Sequence, residues 1–192
     1  MKWAEEYGAW TFKNRSWLPV PLAAGVLLLS RHIHPVHRLM VSGVALETVG
    51  ESIRFWAIRH IGGISRTRAA RVGPLKMSGP YAHVRNPLYV GNWCLWTGVV
   101  VLSGVLWMLP MVWALFGLEY AFMIAHEERL LRTHHTDYDD YARRVPRWLP
   151  RPWQTAEPPP RVPLVPWSAV FFSERSTLAA IVIIVGLLLS RG

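Results

Sequence analysis

The chain has one cysteine, Cys94, set in an apolar run, so no internal disulfide can form and the redox compartment stays open. Acids are scarce as well: 12 Asp and Glu stand against 21 Lys and Arg, a formal net charge of +9. An imbalance of that sign calls for an anionic partner, either nucleic acid or lipid. No internal repeat stands out, which argues against a solenoid. Nor is a signal peptide expected: Met1–Ser16 is mixed in charge and rich in Trp, and no A-x-A-like cleavage site follows the first apolar stretch. Two of the apolar runs, Trp17–Ser30 and Thr177–Ser190, have only 14 residues, where a bilayer core asks for about 20.

Hydrophobic residues are nonetheless 52% of the chain, and there are 11 Trp, a residue that collects at membrane–water interfaces. The apolar runs decide for lipid over nucleic acid. Leu39–Ile61 is long enough to span but carries Glu47, Glu51, Arg54 and Arg59. Leu88–Ala125 is 38 residues with Glu119 as its sole charge, and Ser103-Gly104 near its middle makes a tight helical hairpin the natural form. The expected fold is all-α: a single integral-membrane helical bundle over 1–192, with four or five transmembrane helices and a C-terminal apolar helix at about 176–190. Between them "RPWQTAEPPPRVPLVPW", Arg151–Trp167, has too many prolines for a helix and reads as an extended interfacial connection.

Charge predicts orientation. Arg59–Pro87 holds Arg59, Arg66, Arg68, Arg71, Lys76 and Arg85 and no acid, while the hairpin tip "VVVLSGVLWMLP" holds no charge. By the positive-inside bias, Arg59–Pro87 and His126–Arg175 both face the cytoplasm and the tip faces out. The two richest polar segments can then build one site.

Those segments read "GPYAHVRNPLYVGNW", Gly79–Trp93, and "HEERLLRTHHTDYDDYARRVPRWLP", His126–Pro150. Gly79-Pro80-Tyr81, then Arg85-Asn86-Pro87 with Tyr89 and Gly91, a hairpin, the Glu127-Glu128 pair, and Tyr138/Tyr141 running into Arg-Val-Pro together resemble the isoprenylcysteine carboxyl methyltransferase and phospholipid methyltransferase superfamily. Upstream, "RFWAIRHIG" fits the same pattern through Arg54, Ala57, Ile61 and Gly62. The resemblance covers about residues 43–150. It implies a membrane enzyme that uses S-adenosylmethionine, with a cytoplasmic cofactor site and a lipophilic acceptor from the bilayer. One departure matters: Asn86 stands where the carboxyl methyltransferases usually have His. Asn hydrogen-bonds but carries no proton, which favours a positioning role and points away from the prenyl-cysteine branch.

Under that resemblance, Arg85, Asn86 and Glu127 are the catalytic candidates. Cofactor binding falls to Tyr81, Arg85, Asn86, Pro87, Tyr89, Gly91, Glu127 and Glu128. Carboxylates suit the cofactor's amino group and ribose, and an Arg fork suits its carboxylate. Pro87 wastes no N–H at a helix start, glycines permit close approach, and Tyr81, Tyr89 and Trp93 offer faces to adenine or sulfonium. Each has a plainer role as interfacial anchor or phosphate contact. Glu47, Glu51 and Arg54 share one helix face and either line the acceptor pocket or hold helices together as an ion pair. The three histidines of "HIHPVHR" suggest zinc, but Pro35 breaks the helix that would align them, so no metal is expected. His134 and His135 read as solvated. Anionic headgroups are expected partners, and no obligate protein partner is evident. Two rival functions remain, an NADPH-dependent membrane reductase of the sterol reductase type and a non-enzymatic anionic-lipid-binding protein.

Overall fold

The structure, a computed structural model, describes residues 2–62, 73–150 and 163–190. Arg66, Arg68 and Arg71 of the acid-free segment, and the proline-rich stretch as far as Val162, lie outside the described residues. Within them the chain is helical, without strands. Seven α-helices follow in order: α1 Lys2–Asn14, α2 Pro19–Leu29, α3 His37–Ile61, α4 Pro87–Ser103, α5 Leu109–His134, α6 Tyr138–Arg144 and α7 Trp167–Leu189.

Helix ends fall where backbone chemistry puts them. Pro87 opens α4 and a proline lies in the first turn of α2 and of α5, positions whose N–H would have no helical partner anyway. α3 starts just after Pro35, so the helix break expected within the histidine segment is there. The long apolar run does fold back as a hairpin. Gly104 caps α4 in the left-handed region at φ 76°, and a short 3₁₀ turn at Leu106–Met108 leads into α5. A side chain at residue 104 would be strained by backbone conformation and would also meet Ile33 at 2.9 Å.

α3 and α4 form the tightest seam. Gly43 and Gly50 on one helix and Gly91 and Gly98 on the other recur at heptad spacing. A Cβ on Gly50 would lie 2.8 Å from the Gly91 carbonyl oxygen, and one on Gly43 would lie 2.7 Å from Leu102 Cβ. Small residues at such a crossing let two helix backbones meet. α1 lies along α5, with Gly8 against the Phe122 carbonyl and Tyr7 edge-on to Phe122 at 5.0 Å. The main hydrophobic cluster joins Val26 of α2 with Val99 and Val100 of α4 and Val112, Phe116, Met123 and Ile124 of α5.

Two segments among the described residues are long and apolar enough to cross a membrane, Leu106–His134 and Trp167–Leu189, against the four or five expected. The shortfall has a physical source in α3. Its charges point into the bundle, where Glu47 and Glu51 are 4% and 8% exposed, while Val41, Val44 and Val49 face out. A hydropathy average over α3 therefore understates how apolar its outer surface is. α7 also begins well before the expected 176–190. It starts at Trp167 and carries Glu174 and Arg175 within its first turns, because Glu174 is wholly buried against α3. Its outer face, including Phe171, Phe172, Val182 and Ile183, is more than half exposed.

Candidate functional site

The segments on either side of the hairpin close on each other at the end of the bundle opposite the Gly104 turn. The Arg85 amide donates to the Pro146 carbonyl at 2.9 Å, and Asn86 Nδ2 donates to the Arg147 carbonyl at 3.2 Å. Tyr141 Oη donates to the Tyr81 carbonyl at 2.8 Å. Tyr138, Tyr141 and Val145 form a small core of their own with Leu75, Met77 and Leu131. Burial pushes the Tyr138 and Tyr141 hydroxyls above their ordinary range, so both stay protonated donors. His134 is exposed, but His135 reaches the Gly73 carbonyl at 2.8 Å and helps pin this end down.

Glu128 is the hub of the closure. It is 2% exposed; Arg147 binds both its oxygens, at 3.0 and 2.6 Å, and Arg85 Nη1 lies 3.1 Å from Oε1. A carboxylate so engaged fixes the two arginines. Arg85 keeps its Nε buried and without a hydrogen-bond partner, and the buried Tyr81 hydroxyl also lacks one. Glu127, one residue earlier on α5, turns the other way and accepts a hydrogen bond from Tyr89 of α4.

These groups surround a cavity of about 800 Å³, within the range of pockets that hold small molecules and cofactors. Tyr81, Arg85, Asn86, Pro87, Tyr89, Glu127 and Glu128 all line it, as do Glu47 and Arg54. Three expected residues do not: Trp93 packs edge-on to Trp148 instead, ring centroids 6.2 Å apart. Gly91 faces α3, where an added Cβ would meet Arg54 Cγ at 2.6 Å. Glu51 sits behind the wall, 3.5 Å from Arg54 Nε.

Deeper in the cavity, Arg54 ties three helices together. Its Nη2 donates to Glu174 Oε2 of α7 at 2.6 Å and its Nη1 to Asn92 Oδ1 of α4. Asn92 in turn bonds to the Tyr120 hydroxyl of α5. On this face Arg54 thus holds helices together, while Glu47 lines the cavity. The walls between the two polar ends are apolar, with Trp96, Val99 and Phe116 on one side and Ala180, Ile181 and Ile184 of α7 on the other.

Residues 39–137, which include α3, the hairpin and the Glu127-Glu128 pair, match the model of a family described as phospholipid methyltransferase. The chain belongs to that family. Two curated relatives are similar over 109 residues at 34% identity. One is the nickel-cobalt-cadmium resistance protein NccN of Alcaligenes xylosoxydans xylosoxydans, with 57% of this chain and 47% of that protein covered. The other is the cobalt-zinc-cadmium resistance protein CzcN of Cupriavidus metallidurans, with 57% and 46% covered. The chain thus spans about half the length of the curated relatives it matches. No solved structure matches it.

Several groups in or beside this cavity escaped the sequence reading. Arg15, just after α1, lines the cavity, rests over the Phe12 ring at 4.1 Å and acts electrostatically on Glu127. It lies upstream of the family match, and nothing in its Trp-rich surroundings marks it. Arg147 sits in the quoted Arg-Val-Pro-Arg text, where a Glu128 partner was the missing clue. Glu174 is 120 positions from Arg54 and carries no motif. Asn92 sits inside the quoted segment, where Asn in an otherwise apolar helix was the available signal. Among the described residues, no three His, Cys, Asp or Glu side chains form a metal-holding group.

Proposed function

We propose that the chain is an S-adenosylmethionine-dependent methyltransferase acting on a lipophilic acceptor that enters from the bilayer. The observation that supports this most is a cavity whose mouth is polar and whose walls are apolar. The residues at the mouth fit the cofactor: Arg85 Nε and the Tyr81 hydroxyl are buried donors with no hydrogen-bond partner among the described residues, and Glu127 supplies a carboxylate beside them. Bound there, S-adenosylmethionine supplies an electrophilic methyl group on a positively charged sulfur.

The chain's own residues then have distinct tasks. Glu127, steadied by Tyr89, takes the cofactor's amino group, while Arg85 and Arg15 take its carboxylate through charge-assisted hydrogen bonds. Glu128 acts at one remove, holding Arg85 in place. Asn86 fixes the turn against the Arg147 carbonyl and leaves Pro87 to start α4 towards the cavity. The apolar stretch lined by α4, α5 and α7 takes the acceptor's hydrocarbon and excludes water, which strengthens each of these contacts. Holding acceptor and methyl donor in line is the main catalytic contribution, and alignment of that kind supplies up to ~7–11 kcal/mol.

In this reading α3, α4, α5 and α7 cross the membrane, the 11-residue α2 reaches only part of the way, the closed polar end faces the cytoplasm and the Gly104 turn faces out. The acid-free Arg59–Pro87 segment supports that orientation and meets anionic headgroups. The relatives' metal-resistance roles stay with those proteins. Membranes carrying the chain, supplied with cofactor labelled in its methyl group, should place label in material extracted by organic solvent. Label confined to the aqueous phase, or none transferred, would overturn the reading.

A further inference from the structure

Glu47 is a carboxylate the cofactor site does not use. It is 4% exposed, lines the cavity, and neither of its oxygens has a hydrogen-bond partner among the described residues. It lies across Gly98, where an added Cβ would come within 3.0 Å of Oε1. Gly98 is nine residues along α4 from Tyr89, so at ~1.5 Å per residue Glu47 sits about 14 Å further into the bundle than the Tyr89–Glu127 pair. A buried carboxylate without a donor is costly, and intramembrane acids ordinarily face a cavity or a partner.

Charge in this part of the cavity is one-sided. Glu47, Glu119 and Glu174 line it with Arg54 as the cation among them. Arg54 is spoken for: Glu174 binds it at 2.6 Å, and Glu51 stands 3.5 Å away. Acidic groups therefore outnumber basic ones here, and the group with unused acceptor capacity is Glu47. An unfunctionalised acyl chain in this part of the cavity would leave that capacity unmet and strip water from it. A second carboxylate would be repelled. A protonated amine would satisfy both the charge and the hydrogen bonds.

We propose that Glu47 forms a binding site for an alkylammonium group at the inner end of the cavity, so that the lipophilic acceptor carries a protonated nitrogen at membrane depth. The site is separate from the mouth, where the interfacial headgroup of an ordinary phospholipid would lie. This rests on the methyltransferase reading for the identity of the ligand as acceptor, but the binding itself does not depend on cofactor.

The test uses the full chain purified in a neutral maltoside detergent, with dodecylammonium, dodecanol and dodecanoate as probes of one chain length. Affinity is read from the concentration dependence of the thermal unfolding midpoint. Dodecylammonium should bind the wild type about tenfold more tightly than dodecanol, the effect expected of one charge-assisted contact, and dodecanoate should bind most weakly. In Glu47→Gln the ammonium should fall to the level of the alcohol. Glu47→Leu should show the same loss, which guards against a fault particular to one variant. Calorimetry with S-adenosylmethionine is run beside it: both variants should bind cofactor as the wild type does. Equal binding of the ammonium and carboxylate probes, or an ammonium preference that survives in both variants, would overturn the proposal. A wild type that binds dodecylammonium through Glu47 but no cofactor would instead overturn the methyltransferase reading alone.

Discussion

The two polar ends of the cavity are built from the same residue types and handle charge in opposite ways. At the mouth, Glu128 is buried but both oxygens are taken by arginines, and Glu127 has the Tyr89 hydroxyl. At the inner end, Glu47 is nearly as buried and has no hydrogen-bond partner among the described residues. Paired charge at the mouth closes two segments far apart in sequence into one rigid frame. Unpaired charge inside contributes nothing to holding the helices, and a fold does not gain by keeping it. The difference separates groups that make the structure from groups left open to a ligand.

Removing a structural charge should have the largest effect. Glu128→Ala strands the buried Arg85 and also frees Arg147, so a loss of about 3–5 kcal/mol is expected. It should appear as a lower unfolding midpoint together with loss of cofactor binding. Next comes the Arg54–Glu174 clasp, whose side chains are 12% and 1% exposed. Glu174→Ala should cost about 3 kcal/mol by leaving the guanidinium buried and unmatched. Adding Arg54→Met should recover much of that loss, since the pair is removed whole. Failure of the double variant to recover would mean that Arg54 is needed for more than α7.

The inner carboxylate should behave in the opposite sense. Glu47→Leu removes a desolvated charge and should raise the unfolding midpoint by the equivalent of roughly 1–3 kcal/mol, while methyl transfer falls. A loss of stability would place Glu47 among the structural groups and erase the contrast. The smallest effect belongs to Tyr141→Phe, which deletes the bond to the Tyr81 carbonyl and should cost about 1 kcal/mol. Burial raises the Tyr141 hydroxyl above the ordinary tyrosine value of about 10. Its contribution is therefore full below that pH and lost as pH climbs beyond it. The stability difference between wild type and Tyr141→Phe should be constant through neutral pH and shrink only in strong alkali.

Much of this was readable from local text. Pro87, the Ser103-Gly104 break and the order of motifs each act over a few residues, and helix α4, the hairpin and the closure of residues 79–87 on 126–150 follow from them. The seam glycines were readable only as small residues. Gly91 stood in a motif and so looked like a cofactor contact, while the close approach of α3 claims it. The start of α7 was hidden because Glu174-Arg175 interrupts the apolar run. Arg54, on a helix far away in sequence, helps to make a buried glutamate tolerable there. Arg15 was hidden for the same reason, since its place is set by how α1 lies along α5. Contacts of this range leave no spacing to read.

The central claim is that the polar mouth holds S-adenosylmethionine. Titration calorimetry of the purified full chain with S-adenosylmethionine, S-adenosylhomocysteine and NADPH tests it most directly, with Glu127→Gln as the control. The account predicts saturable binding of the first two, weakened about tenfold or more in the variant, and no heat from NADPH. Binding of NADPH in their place would make the protein a reductase, and binding of none of the three would leave the mouth as a frame for anionic lipid.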